Sequence, residues 1–231
     1  MSFLSELGTV AADNYQAFLR GFALTLELLI FSALFALILA VPLALMRVSD
    51  WAMPRRLSYA YTYLFRGTPL LTQLFLIYYG LAQFDIVRHS SLWPILRDPW
   101  PCAVIALSLN MAAYMAELLR GGIQGVPIGE REAGLSLGFT RFQLYRRIVL
   151  PRAFRIALPA LGNEVIIQMK STALVSTITL LDLTGVARRI VTRTYSTDAL
   201  LVAGVIYVIL TYLIGLGFGL VERRLNRHIA G

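Results

Sequence analysis

Five stretches of this chain are too apolar to be left in water and too long for a small globular core, at about residues 22–46, 57–80, 101–119, 159–181 and 199–221. Roughly 20 apolar residues wound as a helix cross the roughly 30 Å of hydrocarbon in a bilayer, and each stretch is near that length. Inside hydrocarbon no water reaches backbone N–H and C=O groups, so only helices or closed barrels persist there. The runs lack the alternation of barrel strands. The chain is therefore predicted to be an all-α, polytopic membrane protein with five transmembrane helices, one domain covering 1–231. The second and fourth runs carry the most polar residues, which predicts that they face other protein or an aqueous path rather than lipid.

Charge supports the membrane and gives it a direction. Charged residues make up 15% of the 231 and apolar ones 58%, against about 25% and about 45–50% in soluble domains. All cationic residues but Lys170 are arginine. They punctuate the apolar runs instead of forming one stripe, so membrane lipid is the expected partner and nucleic acid is not. Cytoplasmic loops carry the excess of basic residues. With the N-terminus outside, thirteen arginines fall on inner segments. Six (Arg20, Arg88, Arg97, Arg188, Arg189 and Arg193) fall on outer ones. A periplasmic N-terminus and a cytoplasmic C-terminus follow. Glu6 and Asp13 stand where a basic region would open a cleavable signal, so none is expected. Cys102 has no second cysteine to pair with, and His89 and His228 lack carboxylates at ligand spacing; no disulfide or metal site is expected.

Residues 120–158, between the third and fourth runs, are too polar to cross a membrane and too rich in helix formers to be slack. Glu130 and Glu132 suit a helix N-terminus, whose dipole favours negative charge. Gly138 predicts a sharp turn. A second short helix is expected to place Phe142, Tyr145 and Val149 on one side among arginines, with Pro151 ending or restarting it. Such a cytoplasmic knuckle fits a protein interface anchored by aromatic and arginine side chains or a bed of anionic headgroups; pattern alone leaves both open.

The order Glu132-Ala133-Gly134, three residues, Gly138, nine residues, Ile148-x-Leu150-Pro151 resembles the cytoplasmic signature of permease subunits of binding-protein-dependent ABC importers. That family has Ala where Gly134 stands, a small-for-small change expected to leave the surface unaltered. Arg66-Gly67-Thr68-Pro69-Leu70-Leu71-x-Gln73, Ala113-Tyr114-x-Ala116-Glu117, Asn163-Glu164-Val165 and Lys170-Ser171-Thr172-Ala173-Leu174 are similar to the polar amino acid branch, which handles histidine, lysine, arginine, ornithine or opines. The resemblance covers about 15–228. It implies a type I importer permease fold in a bacterial inner membrane, with 120–158 as the coupling loop. Glu132, Ala133, Gly138, Phe142, Tyr145, Ile148, Leu150 and Pro151 would then meet an ATP-binding subunit, present in two copies. A second homologous permease and a periplasmic substrate-binding protein complete the implied assembly. ATP and magnesium would be bound by the partner, leaving this chain without cofactor or catalytic site.

Acids inside apolar runs need an explanation, because a charge near the bilayer centre costs at least about 2.5–3.5 kcal/mol. Glu27 and Asp182 lie near outer ends, where snorkelling or helix capping accounts for them, and Glu117 can pair with Arg120 one turn on. Glu164 is the candidate for the substrate path, with Asn163, Ser171 and Thr172 on the same run and Thr68 on the second. The alternative for Glu164 is a buried pair with Lys170 or Arg66. Gly215, Gly217 and Gly219 permit close helix approach, in internal packing or against a partner permease. Two other classes compete: a secondary transporter of a small polar solute, and a hydrolase through Gly134-Leu135-Ser136-Leu137-Gly138. The first lacks a visible internal repeat and the second lacks a histidine within a run. No phosphate-binding Gly-x-x-x-x-Gly-Lys-Ser/Thr loop occurs in the chain.

Overall fold

The structure, a computed structural model, describes residues 3–226 and the side chains of 6–225. His228 and Arg227 lie outside the described residues. Among those described every regular element is helical, and the α-helices are numbered α1–α12 in chain order. Three of them, α2 (Tyr15–Arg47), α7 (Pro99–Gln124) and α12 (Asp198–Asn226), are long and apolar enough to cross a bilayer unaided.

α7 is the centre of the bundle. Its alanines, Ala103, Ala106, Ala112, Ala113 and Ala116, are fully buried and let neighbouring backbones come close. α2 lies parallel to it: Phe31 meets Trp100 edge-on at 5.4 Å near the start of α7. Arg47 at the end of α2 reaches Glu117 at 2.9 Å, and Arg120 joins the same carboxylate at 2.8 Å. The pairing of Glu117 with Arg120 is as expected; Arg47 makes it a three-residue cluster that ties α2 to α7. α10 (Leu150–Ser171) crosses α7 in the opposite direction. A methyl on Gly122 would stand 2.5 Å from the Ala153 carbonyl oxygen, so this crossing requires glycine.

The second and fourth predicted spans are not uninterrupted helices. α3 (Ala52–Gly67) stops at Thr68-Pro69, and α4 (Leu70–Phe75) resumes before a π-turn at Leu76–Gly80. Pro69 has no N–H to give to the Phe65 carbonyl one turn back. That carbonyl instead accepts from Gln73 Nε2 at 2.9 Å and from Asn110 Nδ2 on α7 at 3.1 Å. Side chains thus satisfy the backbone group that the proline leaves without a donor. The fourth segment has no boundary at Pro159, which lies inside α10. Beyond Ser171 it tightens into a 3₁₀ segment, Thr172–Ile178, that ends at Thr179 in the left-handed region (φ 74).

One further helix lies on a segment that the arginine count assigns to the outer side. α11 (Leu183–Thr194) buries Leu183, Val186, Ala187 and Ile190 at helical spacing against α2 and α12. Asp182 caps it, as the capping explanation required. Its carboxylate accepts from the N–H of Gly185 at 2.9 Å and of Thr184 at 3.2 Å, and from the Tyr207 hydroxyl at 3.1 Å. Truncating this fully buried acid removes a cap worth about 1 kcal/mol and the charged acceptor of the Tyr207 hydroxyl, which keeps only Thr184 Oγ1 at 3.1 Å. Asp182→Ala is expected to lower stability by about 2 kcal/mol, read as a fall in the melting midpoint of the detergent-purified chain; an unchanged midpoint would contradict it.

Gly215, Gly217 and Gly219 do not serve internal packing, since a methyl on any of them would meet nothing within 4 Å. The close approach between α10 and α12 is made by Gly162, where an added methyl would stand 2.8 Å from the Phe218 ring.

Candidate functional site

The break at Thr68-Pro69 opens a cleft of about 590 Å³ between the end of α3, the start of α4, the middle of α7 and the last turns of α10. Arg66, Thr68, Asn110, Tyr114, Glu164, Gln168 and Ser171 supply its polar lining. Most of these groups are already engaged. Gln168 donates to Ser32 Oγ at 3.0 Å and to the Leu107 carbonyl at 3.1 Å, tying α10 to α2 and α7. The Asn110 amide also reaches Gln73 Oε1 at 3.1 Å. The Thr68 hydroxyl donates to the Leu64 carbonyl at 2.8 Å and accepts from Gln73 at 2.7 Å. The Arg66 guanidinium sits over the Tyr114 ring at 5.2 Å, a cation–π contact that holds it at the rim.

Glu164 differs from these neighbours. It is 8% exposed and takes part in no side-chain hydrogen bond or ion pair among the described residues. Pairing with Lys170 is ruled out by position: Lys170 lines a separate, mostly apolar recess with Tyr207, Val208 and Tyr212. Arg66 shares the cleft with Glu164 but not an ion pair. The cleft therefore presents one acid, one base and the Tyr114 hydroxyl to whatever enters it, beside polar groups that are already hydrogen-bonded.

Of the predicted path residues, the structure brings together Thr68, Glu164 and Ser171. Asn163 is exposed on another face of α10, and Thr172 is buried with its hydroxyl given to the Met169 carbonyl at 2.7 Å; neither lines the cleft. Consecutive residues on a helix point about 100° apart, so Asn163 and Glu164 cannot share a face. Asn110 was not anticipated, though an Asn in the middle of an apolar run is itself a signal.

The knuckle forms at the far end of α2 from α11. α8 (Ile128–Ser136) ends in the sharp turn expected at Gly138, made by a left-handed φ of +78°. Thr140 then opens α9 (Arg141–Leu144) through a capping box with Gln143, and a π-turn at Tyr145–Val149 runs directly into α10. Pro151 sits in the first turn of α10, where its missing N–H is tolerated, and does not end the helix. The π-turn also shifts the phase of the chain, so Phe142, Tyr145 and Val149 do not share one side. Val149 is buried, Tyr145 is half-buried and Phe142 is 72% exposed. Leu144 and Ile148 close over Gly134, where a methyl would stand 2.6 and 2.8 Å from their ends. Glycine in place of alanine thus changes the packing beneath the surface. Glu132, Ala133 and Pro151 lie on the outside, with Ile148 and Leu150 half-buried. Arg141 pairs with Asp50 at 3.1 Å, linking the knuckle to the turn after α2. Ser136 sits exposed at the end of α8, not on a strand-to-helix elbow.

The sequence profile of the family described as "Binding-protein-dependent transport system inner membrane component" matches residues 32–227. The octopine transport system permease protein OccM of Rhizobium radiobacter is 48% identical over 225 residues, covering 93% of this chain and 91% of that one. The histidine/lysine/arginine/ornithine transport system permease protein HisM of Salmonella typhimurium is 43% identical over 220 residues, covering 94% and 93%. Among solved structures, an amino acid ABC transporter crystallised with histidines superposes with a TM-score of 0.82 at 34% identity, over 97% of this chain and 99% of that one. The inward-facing MetNI methionine ABC transporter shares the fold, with a TM-score of 0.79 at 20% identity over 92% and 98%.

Proposed function

This chain belongs to the family of binding-protein-dependent transport system inner membrane components, and we propose that, as the permease subunit, it carries a cationic amino acid or an opine into the cytoplasm at the expense of ATP hydrolysed elsewhere. The observation that carries the substrate class is Glu164. An ionised carboxylate taken out of water without a partner is costly, and a cleft of this size admits a small solute. A solute bearing an ammonium or guanidinium group gives Glu164 its missing partner, while Arg66 at the rim suits the solute's own carboxylate. Between them the Ser171 hydroxyl, which donates to the Ile167 carbonyl at 2.9 Å, keeps a lone pair to accept from the solute.

Five crossings follow if the broken segment 57–80 and the segment 159–181 span the membrane beside α2, α7 and α12. The N-terminus is then periplasmic, the C-terminus cytoplasmic, and the knuckle cytoplasmic. It is the piece seated on an ATP-binding subunit, through Phe142 and the surface of Glu132, Ala133, Tyr145 and Pro151 around Gly138. Two ATP-binding subunits, a second homologous permease and a periplasmic binding protein make up the rest, with ATP and magnesium held by the ATP-binding subunits. Because the knuckle runs without a break into α10, a displacement imposed on it is passed along the helix that carries Glu164. This rigid connection is how ATP-driven closure would switch the cleft from one side to the other.

Two measurements test the reading. Purification of the tagged chain from its own membranes in mild detergent is expected to retain an ATP-binding subunit. A chain recovered repeatedly without one would overturn the coupling. Phe142→Asp puts a charge where an exposed aromatic anchor stands; a central anchor is worth about 2 kcal/mol or more, so the retained ATP-binding subunit is expected to fall about thirtyfold or more. Retention equal to the unsubstituted chain would move the contact elsewhere.

A further inference from the structure

Six arginines lie on the segments assigned to the outer side, against the usual bias, and three of them belong to one helix. Arg188, Arg189 and Arg193 all project from the exposed side of α11. Arg188 gives one weak hydrogen bond to Ser176 Oγ at 3.4 Å, and none of the three takes part in an ion pair among the described residues. α11 is fixed at the end of α2 opposite the knuckle: Leu183 N donates to Thr25 Oγ1 at 3.2 Å, and Val186 packs against Gly21 so closely that a methyl there would stand at 2.9 Å.

The helix ends in a second unusual feature. Tyr195, its C-cap, adopts the left-handed region (φ 55), where side chains other than glycine are disfavoured. It is 94% exposed. A strained backbone that holds an aromatic ring in the open gains nothing from packing within this chain, and such strain persists where function uses it. Tyrosine and arginine are also the side chains that most often carry the energy of a protein interface.

We propose that the outward side of α11, with Arg188, Arg189, Arg193 and Tyr195, is a docking surface for an acidic face of the soluble substrate-binding protein; this rests on the importer reading and its orientation. Lipid headgroups fit this surface less well. A helix that lies on a bilayer dips an apolar flank into the acyl region, whereas the apolar flank of α11 is spent on α2 and α12. What remains outward is three guanidinium groups, Thr192, Thr194 and one aromatic ring, a surface made for water or for protein. Electrostatic complementarity of this kind sets the encounter rate and its salt dependence more than the final affinity.

The test is binding-protein-stimulated ATP hydrolysis by the whole complex in lipid nanodiscs, titrated with the loaded binding protein. Arg189→Glu/Arg193→Glu is expected to raise the half-saturating concentration about tenfold or more. Between about 50 and about 300 mM salt, over which the screening length shortens by a factor of about 2.5, half-saturation of the unsubstituted complex is expected to rise steeply and that of the variant to stay nearly flat. Tyr195→Ala is expected to raise half-saturation without changing the salt dependence. Equal half-saturation and equal salt dependence in charge-reversed and unsubstituted complexes would overturn the docking surface while leaving the importer intact. So would a defect that follows the fraction of anionic lipid in the disc and not the binding-protein concentration, which would assign the arginines to headgroups. An unsubstituted complex that no binding protein stimulates would instead overturn the importer reading itself.

Discussion

Glu164→Gln is expected to cut uptake of arginine, lysine or a cationic opine between about tenfold and about a hundredfold in cells or vesicles. The substitution keeps the shape of the side chain and its buried place on α10, and removes only the charge. A hydrogen bond to a charged group is worth about 1.5–3 kcal/mol, and each 1.4 kcal/mol is about a factor of ten. No neighbouring acid can take over, because among the described residues Glu164 is the one carboxylate lining the cleft. Glu164→Asp retains the charge on a shorter stem and is expected to recover part of the rate, which a purely structural role for the glutamate would not produce. Unchanged uptake of cationic solutes by the Gln variant, at equal amounts of chain in the membrane, would remove Glu164 from the path.

Gly122→Val is expected to have the largest effect on stability. A methyl at this position already meets the Ala153 carbonyl oxygen at 2.5 Å and Ala157 Cβ at 3.2 Å. Backbone cannot swing aside as the tip of a long side chain can, so α10 must move off α7. Overpacking of a buried contact costs about 1–3 kcal/mol, and here the displaced helix also carries Gln168, whose bonds to Ser32 and Leu107 depend on the same approach. A loss of about 3 kcal/mol or more is expected, seen as a fall in melting midpoint and in recovered folded chain. Gly121→Val is the control: a methyl there meets nothing within 4 Å, and the variant is expected to melt with the unsubstituted chain. Equal melting of the two valine variants would contradict the close crossing.

Apolar run length made the long helices legible, because hydrocarbon thickness admits few alternatives. Gly138 as a turn was legible for a similar reason, since few residues other than glycine tolerate its backbone. The broken second span was not read, although Pro69 was visible. What makes the break tolerable is Asn110 and Gln73 reaching the Phe65 carbonyl from 45 and eight residues away, and sequence order does not display such distances. The phase of Val149 was misread because a π-turn has no distinct sequence pattern and an ideal helical period was assumed. α11 was missed although its signal was present: Asp182 stands at the cap, and Leu183, Val186, Ala187 and Ile190 recur at intervals of three and four. Glu164 stood out as an acid in an apolar run. Its cleft partners Arg66, Asn110 and Tyr114 come from other helices, so only the fold assembles them.

The central claim is that this chain is a conduit whose energy comes from ATP hydrolysed by a partner. The most direct measurement reconstitutes the purified complex in proteoliposomes and follows accumulation of a labelled cationic amino acid supplied with its binding protein. The account predicts accumulation above the supplied concentration only when ATP is present on the side of the knuckle, and none with a non-hydrolysable analogue. Accumulation driven by a proton or sodium gradient without ATP would contradict it.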